Sequence, residues 1–213
     1  MQVKFCGLTR VCDVQQAIEL GADALGLVFY PPSPRAITAE QALPLIAHVP
    51  AFVSIVALVV NIQDDELAQL ISTVPIDVIQ FHGDESPADC ERLAKIANKR
   101  WIKALRIDKQ SHTPDSIKAL IADYAKAGAS SILLDAYHKE AYGGTGERFD
   151  WSLVPESSAL PIILAGGLTP ENVAGVVDLP ISAVDVSGGI EAQKGIKDID
   201  KMLAFIKAVK RYH

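Results

Sequence analysis

Short apolar runs recur along this chain, separated by stretches with helical spacing. Val3 and Phe5 alternate with Lys4 and Cys6, the two-residue period of a strand with two different faces. Gly7 then lets the chain turn, and Val11 to Leu20 has helical spacing. The same pattern predicts further strands at Ala24–Phe29, Phe52–Val60, Asp77–Phe81, Trp101–Leu105, Ser130–Leu134, Pro161–Ala165 and Ala183–Val186. Helices are expected between them. Thr38 caps one that runs to about His48, with Gln41 in capping-box position; another covers Asp64–Ser72. Ser86 caps the next, with Pro87 at its first position, and Pro114–Lys126 is closed by Gly128. Pro170–Val177 and Lys197–Val209 read as the last two. Asp150–Val154 leaves room for little more than a helical turn, and Tyr137–Arg148 carries no periodic apolar pattern. Three prolines in Tyr30-Pro31-Pro32-Ser33-Pro34-Arg35 make that loop stiff.

Strands alternating with helices imply a parallel sheet. An open, doubly wound sheet satisfies the alternation. Eight units with no leftover edge element fit better as a closed (β/α)8 TIM barrel, one domain over residues 1–213. That length can bury one substantial core. No apolar run is long enough to span a membrane, and Lys4 and Arg10 bracket too few apolar residues for a signal peptide, so a cytoplasmic protein is expected. Cys6, Cys12 and Cys90 are odd in number and widely spaced, which points to reduced thiols and to neither a disulfide framework nor a metal site. The net charge of −6 has no basic cluster behind it and argues against a nucleic-acid partner. Outer helices of this kind are compatible with a monomer or a homodimer.

In a barrel, the carboxyl ends of the strands face one mouth, where the chemistry is done. Those ends hold Cys6, Arg35, His82, Asp135, Gly166-Gly167 and Asp185-Val186-Ser187-Gly188-Gly189. Singly, each has an ordinary explanation, such as a buried thiol, a solvated arginine or a tight turn. Gathered at one rim they make a coherent set. Glycine pairs after the seventh and eighth strands suit a phosphate held by backbone N–H groups, and Gly143-Gly144-Thr145-Gly146 could fold over the same anion. No Gly-x-Gly-x-x-Gly follows the first strand, so a dinucleotide cofactor is not supported. Cys6 and Asp135 are the candidate base and acid. The thiol needs nearby positive charge, from Lys4 on its own face or from helix N-termini around the mouth; Asp135 needs surroundings that keep it protonated part of the time. A nucleophilic triad would require His82 within reach of Cys6, yet strands one and four stand on nearly opposite walls. Arg35, after its stiff loop, offers a planar fork to a carboxylate.

These residues resemble a known family. Lys4-Phe5-Cys6-Gly7-Leu8-Thr9 is similar to the opening motif of the phosphoribosylanthranilate isomerases of tryptophan biosynthesis. The segments Phe29–Arg35, Val78–Gly83, Leu133–Asp135, Gly143–Gly146, Leu164–Leu168 and Asp185–Glu191 resemble its other motifs in order, over essentially the whole chain. The resemblance implies a (β/α)8 fold and an Amadori rearrangement of N-(5-phosphoribosyl)anthranilate, an aldose-to-ketose isomerisation, with no cofactor or metal. It implies Asp135 as general acid on the ribose ring oxygen and Cys6 as general base at C2. It implies Arg35 on the anthranilate carboxylate, and Gly144, Gly167, Ser187, Gly188 and Gly189 around a sugar-phosphate substrate; His82 and Asp185 line the pocket. One departure stands out. The last motif commonly reads Asp-Val-Ser-Ser-Gly, and Gly188 replaces its second serine, at a cost of about 1 kcal/mol if a hydroxyl contact is lost. The alternatives at this stage are the related histidine-pathway isomerisation or an enzyme serving both pathways, whose barrels look to use an aspartate where Cys6 stands, and a non-catalytic sugar-phosphate binder or assembly subunit.

Overall fold

Strand β1 (Gln2–Cys6) sets the two faces on which the rest of the chain closes. Val3 and Phe5 are 1% and 0% exposed and pack outward among helix side chains, while Lys4 and Cys6 turn inward. The structure is a computed structural model that describes residues 1–136 and 149–210. Strands β2 (Ala24–Val28), β3 (Ser54–Val59), β4 (Val78–Phe81), β5 (Arg100–Ile107), β6 (Ser131–Ala136), β7 (Ile162–Leu164) and β8 (Ala183–Val186) follow in order. All pair in parallel, and β8 returns to β1 with Lys4 beside Asp185 and Phe5 beside Val186, closing the barrel. The eight-unit reading of the sequence is borne out, and the open sheet is excluded.

Helices α1 (Val11–Glu19), α2 (Ala39–Ile46), α3 (Asp64–Thr73), α4 (Pro87–Ala97), α5 (Pro114–Lys126) and α6 (Ile199–Lys210) surround it. The caps at Thr38 and Ser86 were legible, and each closes a capping box, at α2 and α4; Thr113 closes a third at α5 that was not read from the sequence. Each helix lays one apolar face on the sheet, as Cys90, Leu93 and Ala97 do in α4. A second apolar cluster, Val56, Val78, Ile102, Ala104, Leu133, Ile163, Ala165 and Ala183, fills the inside of the barrel. Burying one such side chain contributes about 2 kcal/mol. Among the described residues no helix is long and apolar enough to cross a membrane.

Two expected helices are corrected. Pro170–Val177 holds only a 3-10 turn, Val173–Val176, because Gly175 and three valines favour helix weakly and the face of Trp151 packs where a Cβ on Gly175 would lie. Lys197 does not open the last helix. It ends a small antiparallel hairpin of Glu191–Gln193 with Ile196–Lys197, turned at Gly195 with φ +80°. Asp198 then accepts from the backbone N–H groups of Asp200 and Lys201 and starts α6 two residues later.

Candidate active site

Cys6 ends β1 and is 5% exposed. One inward position earlier on the same strand, Lys4 Nζ donates to Asp185 Oδ1 at 3.0 Å, both groups buried. On the next strand, Gly26 pairs with Cys6, and a Cβ there would come within 2.8 Å of the thiol sulfur and 3.1 Å of Lys4 Nζ. A residue without a side chain thus leaves the space that thiol and ammonium share. Burial pushes the Cys6 thiol above its ordinary value, Lys4 pulls the other way without cancelling it, and Asp185 adds to the rise. Burial pulls Lys4 down, but Asp185 and Cys6 together hold the ammonium above its ordinary value. Lys4 was one of the candidate charges in the sequence; that Asp185 shares its charge could not be read there.

Across the mouth, Asp135 lies on β6 and is 6% exposed. Its Oδ1 accepts from the Ala136 backbone N–H at 2.9 Å, and its Oδ2 lies 3.3 Å from His82 Nε2. His82 Nδ1 in turn meets Gln80 Nε2 at 2.9 Å. The imidazole therefore turns to Gln80 and Asp135, and no Cys6–His82 pair forms among the described residues.

Arg35 is buried, and its carboxylate partner is internal. Its Nε and Nη2 donate side-on to Glu191 Oε1 and Oε2, both at 2.7 Å. Lys197 Nζ also reaches Glu191 Oε1 at 2.9 Å and donates to the Ser187 carbonyl at 3.1 Å. Burial pushes Glu191 up, but Arg35 and Lys197 outweigh it and hold the carboxyl below its ordinary value; burial pulls Lys197 below its own despite Glu191. The cluster joins two cationic side chains to one carboxylate, beside the loop after β8. Sequence reading noted Glu191 inside a motif without a role and placed Lys197 on a helix, so the cluster was missed.

The glycine loops stand where expected. Gly166 and Gly167 turn with φ of +82° and +64°, and Asn172 Nδ2 donates to the Gly167 carbonyl at 2.9 Å. A Cβ on Gly189 would overlap the carbonyl of Leu168, so the loops after β7 and β8 touch through a glycine. Gly188 lies beside Arg35 Nη2, which a Cβ would approach to 3.3 Å. Gly144 lies outside the described residues. No group of three side chains suited to a metal ion occurs among the described residues.

The ionisable groups inside this barrel gather toward the carboxyl ends of its strands, the end at which (β/α)8 enzymes react. The chain is an enzyme barrel of that class, and relatives narrow it further. The family model for N-(5'-phosphoribosyl)anthranilate isomerase matches residues 3–208. The N-(5'-phosphoribosyl)anthranilate isomerase of Acinetobacter calcoaceticus is 47% identical over 209 residues, 98% of this chain and 96% of its own. The crystal structure of phosphoribosyl anthranilate isomerase from Thermotoga maritima superposes with a TM-score of 0.87 at 35% identity over 99% of both chains. A further phosphoribosyl anthranilate isomerase, in complex with reduced 1-(o-carboxyphenylamino)-1-deoxyribulose 5-phosphate, superposes at 0.81 with 33% identity, again over 99% of both. The chain belongs to the N-(5'-phosphoribosyl)anthranilate isomerase family.

Proposed function

We propose that this chain isomerises N-(5'-phosphoribosyl)anthranilate to 1-(2-carboxyphenylamino)-1-deoxyribulose 5-phosphate, a cytoplasmic step of tryptophan biosynthesis, with Asp135 as acid and Cys6 as base. The observation that carries the reading is the division of the mouth, with a carboxyl group on β6 and a thiol above an ammonium on β1. In the first step Asp135 gives its proton to the ribose ring oxygen. The bond from that oxygen to C1 breaks with its electron pair going to oxygen, while the anilino nitrogen lone pair forms the C=N bond of a Schiff base. In the second step Cys6 thiolate takes the proton from C2, the C–H pair becomes the C1–C2 double bond, and the C=N π pair returns to the anilino nitrogen, giving an enolamine that tautomerises to the ketone.

The thiolate is scarce in the free protein, because burial outweighs Lys4. Lys4, whose ammonium is held charged, stabilises the thiolate that has to form before Cys6 can take the C2 proton. The loops of Gly167 and of Ser187, Gly188 and Gly189 hold the phosphate, with Lys197 adding positive charge from beneath Ser187. Arg35 keeps its Nη1 edge for the anthranilate carboxylate while Glu191 holds its other side.

The test is the fall in fluorescence when purified protein meets freshly generated phosphoribosylanthranilate. Rapid decay is expected with the wild type, and rates lower by about 10²-fold or more with Cys6→Ala and with Asp135→Asn. Decay at the wild-type rate in Cys6→Ala removes Cys6 as base. No decay with any of the three proteins leaves a sugar-phosphate binder.

A further inference from the structure

His82 and Gln80 have no step in the reaction above, yet His82 faces its acid and Gln80 faces His82. Gln80 is fully buried on the inner face of β4, His82 follows two residues later at 4% exposure, and their side chains meet at 2.9 Å. With the Gln80 amide nitrogen turned to the ring and its Oε1 left without a partner among the described residues, the amide donates to His82 Nδ1, which puts the ring proton on Nε2. That nitrogen faces Asp135 Oδ2 at 3.3 Å and has no well-aligned hydrogen-bond partner among the described residues. Catalytic hydrogen bonds often reach full length and alignment only as the reaction proceeds. The main chain at His82 is fixed from the opposite side of the sheet. Lys103 Nζ donates to the Gly83 carbonyl and to Glu85 Oε2, both at 2.7 Å, and Glu85 also accepts from the N–H groups of Asn61 and Gly83. The ring is thereby presented from a rigid support.

We infer that Gln80 and His82 are positioning residues for Asp135: Gln80 selects the Nε2–H form of His82, and that N–H stabilises the carboxylate Asp135 becomes when it gives up its proton. The inference rests on Asp135 as the acid. No proton moves along the chain. The proton leaves Asp135 for the ring oxygen, the bonding pair stays on the carboxylate, and Oδ2 gains the donor it lacks while Oδ1 keeps Ala136 N–H. A ring with its proton on Nδ1 would turn a lone pair toward the new anion and oppose the same step.

Protonation of His82 can be read without turnover from long-range proton–nitrogen spectra of protein labelled with [15N]histidine, with His82 identified by its loss in His82→Gln. The wild type is expected to show Nδ1 bare and Nε2 protonated. In Gln80→Glu the new carboxylate can only accept, so Nδ1 becomes protonated, and kcat falls on the order of tenfold or more with KM little changed. Gln80→Met, which neither donates nor accepts strongly, is expected to lower kcat without protonating Nδ1. His82→Phe loses kcat similarly, and His82→Gln, which keeps an N–H near the ε position, recovers most of it. Nδ1 protonated in the wild type, an unchanged spectrum in Gln80→Glu, or full kcat in His82→Phe each overturns the inference. Cys6→Ala keeps the wild-type imidazole pattern while losing turnover. A wild type without turnover defeats the proposed reaction and, with it, the role of the chain toward Asp135, even where the spectra bear out the His82 form.

Discussion

Arg35 and Glu191 meet side-on, with two bonds of 2.7 Å that bring the stiff loop after β2 against the hairpin after β8. The pair fixes the guanidinium plane while leaving its Nη1 edge without a bond among the described residues, the edge proposed for the anthranilate carboxylate. Glu191→Gln keeps the shape and removes the charge. The expected loss is about 2–3 kcal/mol, below that of a dry pair because the mouth admits water. Glu191 is held below its ordinary value of 4.5, so its contribution is present above that pH and is lost as the pH falls through the lowered value. Urea unfolding is expected to show the gap between wild type and variant widest at neutral pH and closing in acid. A gap independent of pH would mean that the carboxylate's charge is not what holds Arg35.

Cys6 carries the opposite sign. Burial raises its thiol above the ordinary 9.0, Lys4 only partly offsets this, and the proposed base acts when deprotonated. In free enzyme, kcat/KM is therefore expected to climb with pH through neutrality into the alkaline range, with a slope of about one decade per pH unit. Lys4→Met removes the offset, lifts the thiol further and shifts that limb to higher pH, costing about tenfold at neutral pH. It also leaves Asp185 buried without its partner, so stability drops by about 3–5 kcal/mol. Asp185→Asn added to Lys4→Met is expected to restore stability but only part of the rate, because Asp185 raises the thiol by less than Lys4 lowers it. Recovery of both would assign Lys4 a purely structural role.

Gly26→Ala separates ordinary strand behaviour from the needs of the thiol. Glycine weakens a strand interior, so alanine would normally stabilise one. Here the added methyl meets Cys6 Sγ at 2.8 Å and Lys4 Nζ at 3.1 Å. Thermal unfolding is expected to show a loss of about 1–3 kcal/mol. Steady-state kinetics are expected to show kcat falling while KM changes little, because the proposed base is displaced and the proposed phosphate loops are not. A stabilised, fully active variant would show that the site accommodates the methyl.

Legibility followed the range of the interaction that decides each feature. The alternation of Val3 and Phe5 with Lys4 and Cys6 is local, and it fixed strand, inward face and mouth at once. The caps at Thr38 and Ser86 are equally local and marked their helices. The pairings that tune the site are not. Lys4 and Asp185 are 181 residues apart, Arg35 and Glu191 156 apart, and nothing in either neighbourhood announces the other. Gly26 was read only as part of an apolar strand, since its importance lies in what stands beside it on β1. The lost helix at Pro170–Val177 shows the same limit, because Trp151, the ring that takes the space over Gly175, comes from an earlier segment.

Gly189 gives the sharpest test of the phosphate loops. Its φ is not in the left-handed region, so backbone strain does not require glycine there. The constraint is steric: a Cβ would overlap the Leu168 carbonyl, a main-chain atom that cannot rotate away as a side chain could. Gly189→Ala must therefore separate the loops after β7 and β8, which the proposed phosphate site needs together. Inhibition by inorganic phosphate is expected to weaken about tenfold and KM to rise, with kcat at saturation changed far less, since Cys6 and Asp135 lie on other strands. Gly188→Ser is the control next door. Its Cβ meets only the Arg35 side chain at 3.3 Å, which can shift, and its hydroxyl matches the serine common at that place in the family motif. It is expected to fold normally and to bind phosphate at least as well as the wild type. If Gly189→Ala inhibits and binds like the wild type, the anion sits elsewhere and the two glycine loops are turns alone.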